Sequence, residues 1–198
     1  MGGKSRQSLS SGFVQALADV AKVVDAHEHR AAVIGGIAVI ARGVQRLTRD
    51  IDIAVAGEDL SCAALADELQ RHGIAPRISD AVAFAEESQV LLMRHETSGV
   101  DIDVSRAWLP FEIEALAAAD YESLGGVRIA IAQPEDLIIF KAVAWRPQDQ
   151  QDVERLLTLY GDRVDLARIR RHVKALGDAI EEDRLHALDV LLDRLIKR

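Results

Sequence analysis

The residues best suited to chemistry are two aspartates separated by one residue, Asp50 and Asp52, in the run DIDIAVA. Residues i and i+2 of a β-strand project from the same face, so both carboxylates point the same way. Two carboxylates held together repel each other unless a cation neutralises them. Mg²⁺ suits such a pair, because it is usually bound by one or two carboxylates plus substrate phosphates. The spacing predicts a magnesium site, with a solvated strand edge as the alternative interpretation.

A second pair of aspartates with the same spacing, Asp101 and Asp103, lies in the run VDIDV. If the two strands are neighbours, their acidic faces form one cluster that can hold two cations. Metal ions about 3.5–4 Å apart serve phosphoryl chemistry by binding both the attacking and the leaving oxygens. Two acidic strands on an apolar background favour a metal site over two solvated edges.

Two adjacent glycines, Gly35 and Gly36, follow the apolar run AAVI. Glycines allow backbone N–H groups to approach a phosphate, and a helix N-terminus adds a favourable dipole. A Gly-Gly pair is also a routine turn, so both interpretations stand. The glycine spacings of the Walker and dinucleotide-binding motifs are absent.

Basic residues occur on both sides of the acidic runs, and they predict positive charge where a triphosphate would lie. These residues are Arg42, Arg46, Arg49, Lys141 and Arg146. Lys141 lies in the mainly apolar stretch LIIFKAVA, which makes a plain solvated position less favourable than a phosphate contact.

Apolar periodicity and chain breakers predict the elements that position these residues. We expect helices at 12–28, 37–42, 58–72 and 134–145, strands at 31–34, 50–56, 89–95, 100–105 and 128–132, and two or three helices after 145. The strands at 89–95 and 100–105 form a hairpin with a four-residue connection. The order indicates an α+β fold, divided into a flexible leader (1–11), an α/β domain (12–133) and a helical C-terminal part (134–198).

Composition sets limits on the function. The chain has 198 residues and a net charge of −8, which argues against extended binding to a nucleic acid backbone. The single cysteine, Cys62, excludes an internal disulfide. No apolar run is long enough for a membrane span, and the first residues lack the apolar stretch of a signal peptide. We therefore expect a cytoplasmic protein without a membrane partner.

Three segments, taken in order, resemble a known superfamily. Gly35-Gly36, residues 48–53 (TRDIDI) and residues 100–105 (VDIDVS) are similar to the signature of polymerase-β-like nucleotidyltransferases, above all the branch of abortive-infection (AbiE-type) toxins. The resemblance covers roughly residues 30–155. It implies a nucleotidyltransferase-fold mixed sheet with flanking helices.

The resemblance also implies roles for the acidic and glycine residues. Gly35 and Gly36 would cradle the nucleotide phosphates, and Asp50 and Asp52 would coordinate Mg²⁺, with a two-ion site expected. The third carboxylate, a base or metal ligand, is Asp101 or Asp103. The run from Asp103 to the LPFE segment is closer to the family's register and favours Asp103.

A lysine, an arginine and an aspartate complete the nucleotide pocket in the family. The resemblance assigns nucleotide binding to Lys141 and Arg146, alongside Arg49 ahead of the D-x-D strand. Asp149 and Asp152 match the aspartate, although both also suit the start of a helix.

The implied activity is Mg²⁺-dependent transfer of a nucleoside monophosphate from an NTP to an acceptor. The toxin branch implies tRNA or another RNA as the acceptor and an antitoxin protein as a partner. The alternatives are a small-molecule acceptor, such as an aminoglycoside or lincosamide antibiotic, and a non-catalytic module that binds a nucleotide or a protein.

Overall fold

The strands are placed in one mixed sheet. The computed structural model describes residues 9–57 and 60–196. Within these residues seven strands form a single sheet in the order β3-β4-β5-β2-β1-β7-β6. The strands are β1 (Ala31–Ile34), β2 (Asp50–Ala56), β3 (Ile74–Pro76), β4 (Val90–His95), β5 (Asp101–Ala107), β6 (Asp120–Leu124) and β7 (Val127–Ile131).

Helices flank the sheet and make up the C-terminal part of the described chain. They are α1 (Ser11–Ala26), α2 (Gly35–Ala41), α3 (Cys62–Arg71), α4 (Ala81–Ser88), α5 (Pro110–Ala117), α6 (Pro134–Ala144), α7 (Pro147–Tyr160), α8 (Leu166–Ala179) and α9 (Arg184–Ile196). None of the helices in residues 9–57 and 60–196 has the length and apolar character needed to cross a membrane.

The α+β class and the mixed sheet with flanking helices predicted from the sequence are confirmed. The hairpin of β4 and β5 is present, with a connection of five residues, 96–100, instead of four. The helix expected over 58–72 begins at Cys62, and its first two predicted residues lie outside the described residues. Sequence periodicity missed the short elements β3, α4, α5 and β6.

Alternation along β2 and β5 fixes which side chains face the core. Ile51, Ile53, Ile102 and Val104 are fully buried, while the aspartates between them are half-buried. Each buried aliphatic side chain contributes about 1.5–3 kcal/mol relative to exposure. A slip of one residue would exchange the two faces, so the core anchors the register of the acidic positions.

Buried apolar residues from the sheet and from helices α6 to α9 form one hydrophobic cluster; Val153 of α7, Ile169 of α8 and Leu188 of α9 belong to it. The division at residue 134 stays a prediction.

Of the predicted leader, residues 1–8 lie outside the described residues. Ser10 caps α1, since its hydroxyl accepts the N–H of Phe13.

Helix α2, which begins at Gly35, is held at its other end by a buried arginine. The guanidinium of Arg42 donates to the carbonyls of Ile131 at 2.7 Å and Ala132 at 3.0 Å. It also pairs with Asp120 and Glu122 of β6. The helix end is thereby tied to both strands at one edge of the sheet.

We expect Arg42→Met to lower the free energy of unfolding by about 2–3 kcal/mol. The substitution leaves two carbonyls without this hydrogen-bond donor and two carboxylates without their cation. Denaturant unfolding monitored by circular dichroism measures the loss. The exposed Arg155, which donates to the carbonyl of Gln45, is the control. Arg155→Met should change stability by less than about 0.5 kcal/mol; equal losses in the two variants would contradict the assignment.

Candidate active site

Four aspartates meet on neighbouring strands. Strand β2 pairs in parallel with β5, and the register places Asp50 opposite Asp101 and Asp52 opposite Asp103. Paired strands are about 4.8 Å apart, so each carboxylate has another beside it on the same face of the sheet. The two acidic runs, about fifty residues apart in the sequence, therefore form one surface.

Asp52 is the most perturbed of these groups. Burial, followed by the charge of Asp50, raises the pKa of Asp52 from 3.8 to about 6. The charge of Asp103 acts in the same direction, whereas the N–H of Gly36 and the charge of Lys141 oppose the shift. The ionised carboxylate is thus held where negative charge is unfavourable, which is the electrostatic setting in which a cation binds.

The two glycines lie against Asp52. Gly35 has a φ of +62°, and a Cβ built on it would lie 1.8 Å from Oδ2 of Asp52. The N–H of Gly36 donates to the same oxygen at 3.3 Å. A Cβ on Gly36 would lie 2.7 Å from Oγ1 of Thr48. Glycine is therefore required here by close approach as well as by conformation.

Thr48 orients the first aspartate, since its hydroxyl donates to Oδ1 of Asp50 at 2.7 Å. Sequence reasoning gave Thr48 no role, although it lies in the matched TRDIDI segment. The available signal was its place in that segment, two residues ahead of Asp50.

The aspartates of β5 are each bonded to an arginine. Nη1 of Arg77 lies 2.6 Å from Oδ1 of Asp103, and Nε of Arg94 lies 2.7 Å from Oδ1 of Asp101. The hydrogen bond from Arg94 lowers the pKa of Asp101, against a smaller opposing effect of burial. The register places Asp103 directly opposite Asp52, and the charge of Asp103 contributes to the raised pKa of Asp52. The choice of Asp103 as the third carboxylate stays a prediction.

A cationic network lies on the other side of Asp52. Nζ of Lys141 is 2.8 Å from Oδ1 of Asp149 and 3.6 Å from Oδ2 of Asp152. Arg46 pairs with the same oxygen of Asp152. Asp152 is fully buried, and its Oδ1 has no hydrogen-bond partner within the described part of the chain. The two aspartates of α7 thus hold the cations beside the carboxylate cluster.

Arg49 and Arg146 are exposed. The backbone N–H of Arg146 donates to Oδ2 of Asp149 at 3.1 Å, so this carboxylate also caps α7. Neither guanidinium makes an ion pair with any residue in 9–57 or 60–196. Their roles in nucleotide binding stay predictions.

The donor set at Asp50 and Asp52 fits Mg²⁺. No three His, Cys, Asp or Glu side chains among residues 9–57 and 60–196 form a ready metal-binding group. Two hard carboxylate ligands are nevertheless the complement that Mg²⁺ uses when phosphates supply further oxygens. Asp103 is bonded to Arg77 and Asp101 to Arg94, and the metal-binding roles of these two aspartates stay predictions.

Comparison with known protein families identifies the class of this protein. The family model described as "Nucleotidyl transferase of unknown function (DUF2204)" matches residues 13–188. The chain therefore belongs to this family of nucleotidyl transferases. No curated protein sequence is similar enough to the chain to count as a match.

Solved structures share the fold at low sequence identity. An antigenic nucleotidyltransferase-like protein from Paracoccidioides brasiliensis is 13% identical, with a TM-score of 0.56 and coverage of 93% of this chain and 94% of that one. The crystal structure of ANT(2″)-Ia in complex with adenylyl-2″-tobramycin is 16% identical, with a TM-score of 0.54 and coverage of 86% and 99%. The solution structure of the antibiotic-resistance factor ANT(2″)-Ia is 18% identical, with a TM-score of 0.54 and coverage of 94% and 100%.

We expect Asp52→Asn to stabilise the metal-free protein at pH 8. Asp52 is protonated in both states well below pH 3.8 and ionised in both states well above pH 6, where the full cost of the buried charge applies. Wild-type stability should therefore fall relative to the variant as pH rises from about 4 to 6, by about 1–3 kcal/mol. Urea unfolding with a chelator, measured across this range, gives the difference.

The matched control is Asp101→Asn. The pKa of Asp101 is lowered, so its ionised form stabilises the fold and the substitution should act in the opposite direction at pH 8. If Asp52→Asn is no more stable than wild type at pH 8, the buried carboxylate of Asp52 does not destabilise the fold as predicted.

Gly35→Ala should destabilise the protein and displace Asp52. The left-handed conformation costs an alanine about 1–2 kcal/mol, and the collision with Oδ2 adds to this. Gly126→Ala is the control, since Gly126 has a φ of +88° with no atom within 4 Å of an added Cβ. Thermal unfolding should show a clearly larger loss of stability for Gly35→Ala than for Gly126→Ala. Equal losses would contradict a collision between the added Cβ and Asp52.

Proposed function

We propose that this protein transfers a nucleoside monophosphate from an NTP to an acceptor hydroxyl in a Mg²⁺-dependent reaction. The observation that carries the proposal is the in-register pairing of two D-x-D strands beside a Gly-Gly turn that contacts one of the aspartates. The arrangement concentrates negative charge next to a backbone open to close approach. A cation bound to a phosphate chain neutralises that charge.

The residues of the nucleotide side have separate tasks in this proposal. Asp50 and Asp52 would hold Mg²⁺, which supplies Lewis-acid polarisation of the phosphoryl group. Gly35 and Gly36 leave room for phosphate oxygens near the backbone, and Lys141 offers a compact positive charge beside Asp52. Arg49 and Arg146 are exposed cations available to the outer phosphates.

The reaction is a substitution at the α-phosphorus. The acceptor oxygen forms a bond to the α-phosphorus, the bond from that phosphorus to the bridging oxygen breaks, and pyrophosphate leaves. Asp103 takes the proton of the acceptor hydroxyl, for which it must release Arg77. Such chemistry depends on positioning and electrostatics, with little covalent work by the protein.

The first candidate acceptor is tRNA or another RNA. It rests on the resemblance to the toxin branch, which also adds an antitoxin protein as a partner and a cytoplasmic location to the proposal. The resemblance is an argument by analogy of fold and motif. A two-ion site belongs to the same proposal, and its second ion requires Asp103 to be free of Arg77.

The second candidate is a small-molecule antibiotic. The observation in its favour is the likeness of fold to ANT(2″)-Ia, which was determined with adenylyl-2″-tobramycin. A non-catalytic nucleotide-binding module is the alternative outside enzymes. It predicts stabilisation by NTP without transfer of label.

The test is incubation with each α-³²P-labelled NTP and Mg²⁺, with either total tRNA or tobramycin as acceptor. We expect Mg²⁺-dependent label in the acceptor. Asp52→Asn should reduce the rate by about 10³-fold or more, because one metal carboxylate is lost.

The control variant is Asp178→Asn, an exposed aspartate of α8 paired with Lys174. It removes the same charge away from the cluster and should transfer at the wild-type rate. Folding of each variant is checked by thermal unfolding. A folded Asp52→Asn protein that transfers nucleotide as fast as wild type would contradict the proposal.

A further inference from the structure

We propose that Arg77 binds the acceptor, and that the acceptor therefore carries a phosphate group close to its attacking hydroxyl. This inference rests on the proposed nucleotidyl transfer and names the chemical class of its second substrate. The carrying observation is the Arg77–Asp103 contact on the side of the aspartate cluster away from the Gly-Gly turn.

Sheet order separates the two sides of the reaction. Strand β1, which leads into Gly35, flanks β2 on one side, and β5 flanks it on the other. The nucleotide phosphates are expected at the β1 side, beside Gly36 and Lys141. Attacking and leaving oxygens lie roughly in line on opposite sides of the phosphorus. The acceptor thus approaches from β5, β4 and β3, where Arg77 and Arg94 lie.

The backbone fixes the position of Arg77. Its N–H donates to the carbonyl of Leu92 at 3.0 Å, which continues the pairing of β3 with β4. Nη1 bonds Asp103 at 2.6 Å and reaches the carbonyl of Met93 at 3.5 Å. The guanidinium is therefore placed beside the third carboxylate before any ligand arrives.

Much of the donor capacity of Arg77 is unused. A guanidinium has five N–H donors, and no hydrogen bond to a residue in 9–57 or 60–196 uses Nε or Nη2 of Arg77. The side chain is 20% exposed, so these donors can reach a ligand. The planar fork matches two oxygens of a phosphate, which a lysine would meet only as a point charge.

The chemistry of Asp103 explains why an anion is needed. When Asp103 turns to the acceptor hydroxyl, Arg77 loses its carboxylate partner in a partly buried place. A cationic acceptor would then face an unpaired guanidinium, whereas a phosphate restores the pair. The half-exposed Arg94 lies on the adjacent strand and adds positive charge on the same side.

Two sources can supply such a phosphate: an RNA strand with a free 3′ hydroxyl, or a small phosphorylated molecule. The experiment measures binding of a fluorescent single-stranded RNA by anisotropy, with a chelator and without NTP. Competition by ribose 5-phosphate, which is not a nucleotide, and separately by tobramycin distinguishes the sources. If ribose 5-phosphate displaces the RNA, the acceptor is a small phosphorylated molecule; if it does not, the acceptor is an RNA strand. Displacement by tobramycin would overturn the proposal.

We expect Arg77→Gln to weaken RNA binding about tenfold and to reduce the salt slope by about 0.7, as for one phosphate contact on a single strand. Arg77→Lys should retain part of the affinity. Asp103→Asn should tighten binding, because it releases the guanidinium, and this gain should vanish in the double variant with Arg77→Gln. Asp178→Asn, which frees Lys174 on α8, should leave binding unchanged.

Wild-type RNA affinity in Arg77→Gln, or an equal gain from Asp103→Asn with and without Arg77, would overturn the inference. Failure of the proposed function has a different signature: RNA binding that depends on Arg77 but no transfer of label from any NTP. In transfer assays the inference requires a raised KM for the acceptor in Arg77→Gln, with the KM for NTP unchanged. Arg170→Gln, which breaks an exposed pair with Asp189, is the control.

Discussion

Mutual repulsion of carboxylates on two parallel strands is the constraint around which this molecule is arranged. The repulsion cannot be relieved by a shift of register, because the opposite face of the same strands is buried in the core. Ile51, Ile53 and Ile102 would have to leave that core for the aspartates to separate. Hydrophobic burial thus holds together groups that electrostatics would drive apart.

The surroundings of the cluster limit this cost in two ways. Toward the Gly-Gly turn, the N–H of Gly36 and the charge of Lys141 act directly on Asp52. Toward β4 and β3, Arg77 and Arg94 each bind one aspartate of β5. The side toward the Gly-Gly turn keeps Asp52 where its ionised form is unfavourable, and the side toward β4 keeps the aspartates of β5 paired with arginines. This asymmetry gives the two sides different chemistry.

The sequence contained the central elements because their signals are local. Alternation in DIDIAVA and VDIDV reports on single strands, and the glycine pair marks the end of another. Strand β3 and helix α4 carry no comparable signal. Strand β3 has three residues and ends in a proline, and α4 has eight residues with no side-chain cap from Asp80. Elements so short are held by their neighbours, and periodicity cannot find them.

The same limit explains which candidate site residues the sequence singled out. Lys141 stood out because it interrupts an apolar helix, and Asp50 and Asp52 stood out by their spacing. Arg77 had no local signal, since it lies in the segment without predicted structure and acquires its partner only when β3 joins the sheet beside β4. Contacts that depend on the order of strands are a tertiary property.

The buried Asp152 has a consequence for how this chain can be recombined with others. Its carboxylate on α7 is shared by Arg46, from the loop before β2, and Lys141 of α6. A chimeric protein in which foreign sequence begins before Pro147 would lack Asp152, so Arg46 and Lys141 would lose their shared carboxylate. Their positive charge would then be unpaired near the Gly-Gly turn. A junction placed after Tyr160 would keep Arg46, Lys141 and Asp152 together. A recombined protein that keeps the ion pairs of Arg46 and Lys141 must therefore carry α7 together with the sheet.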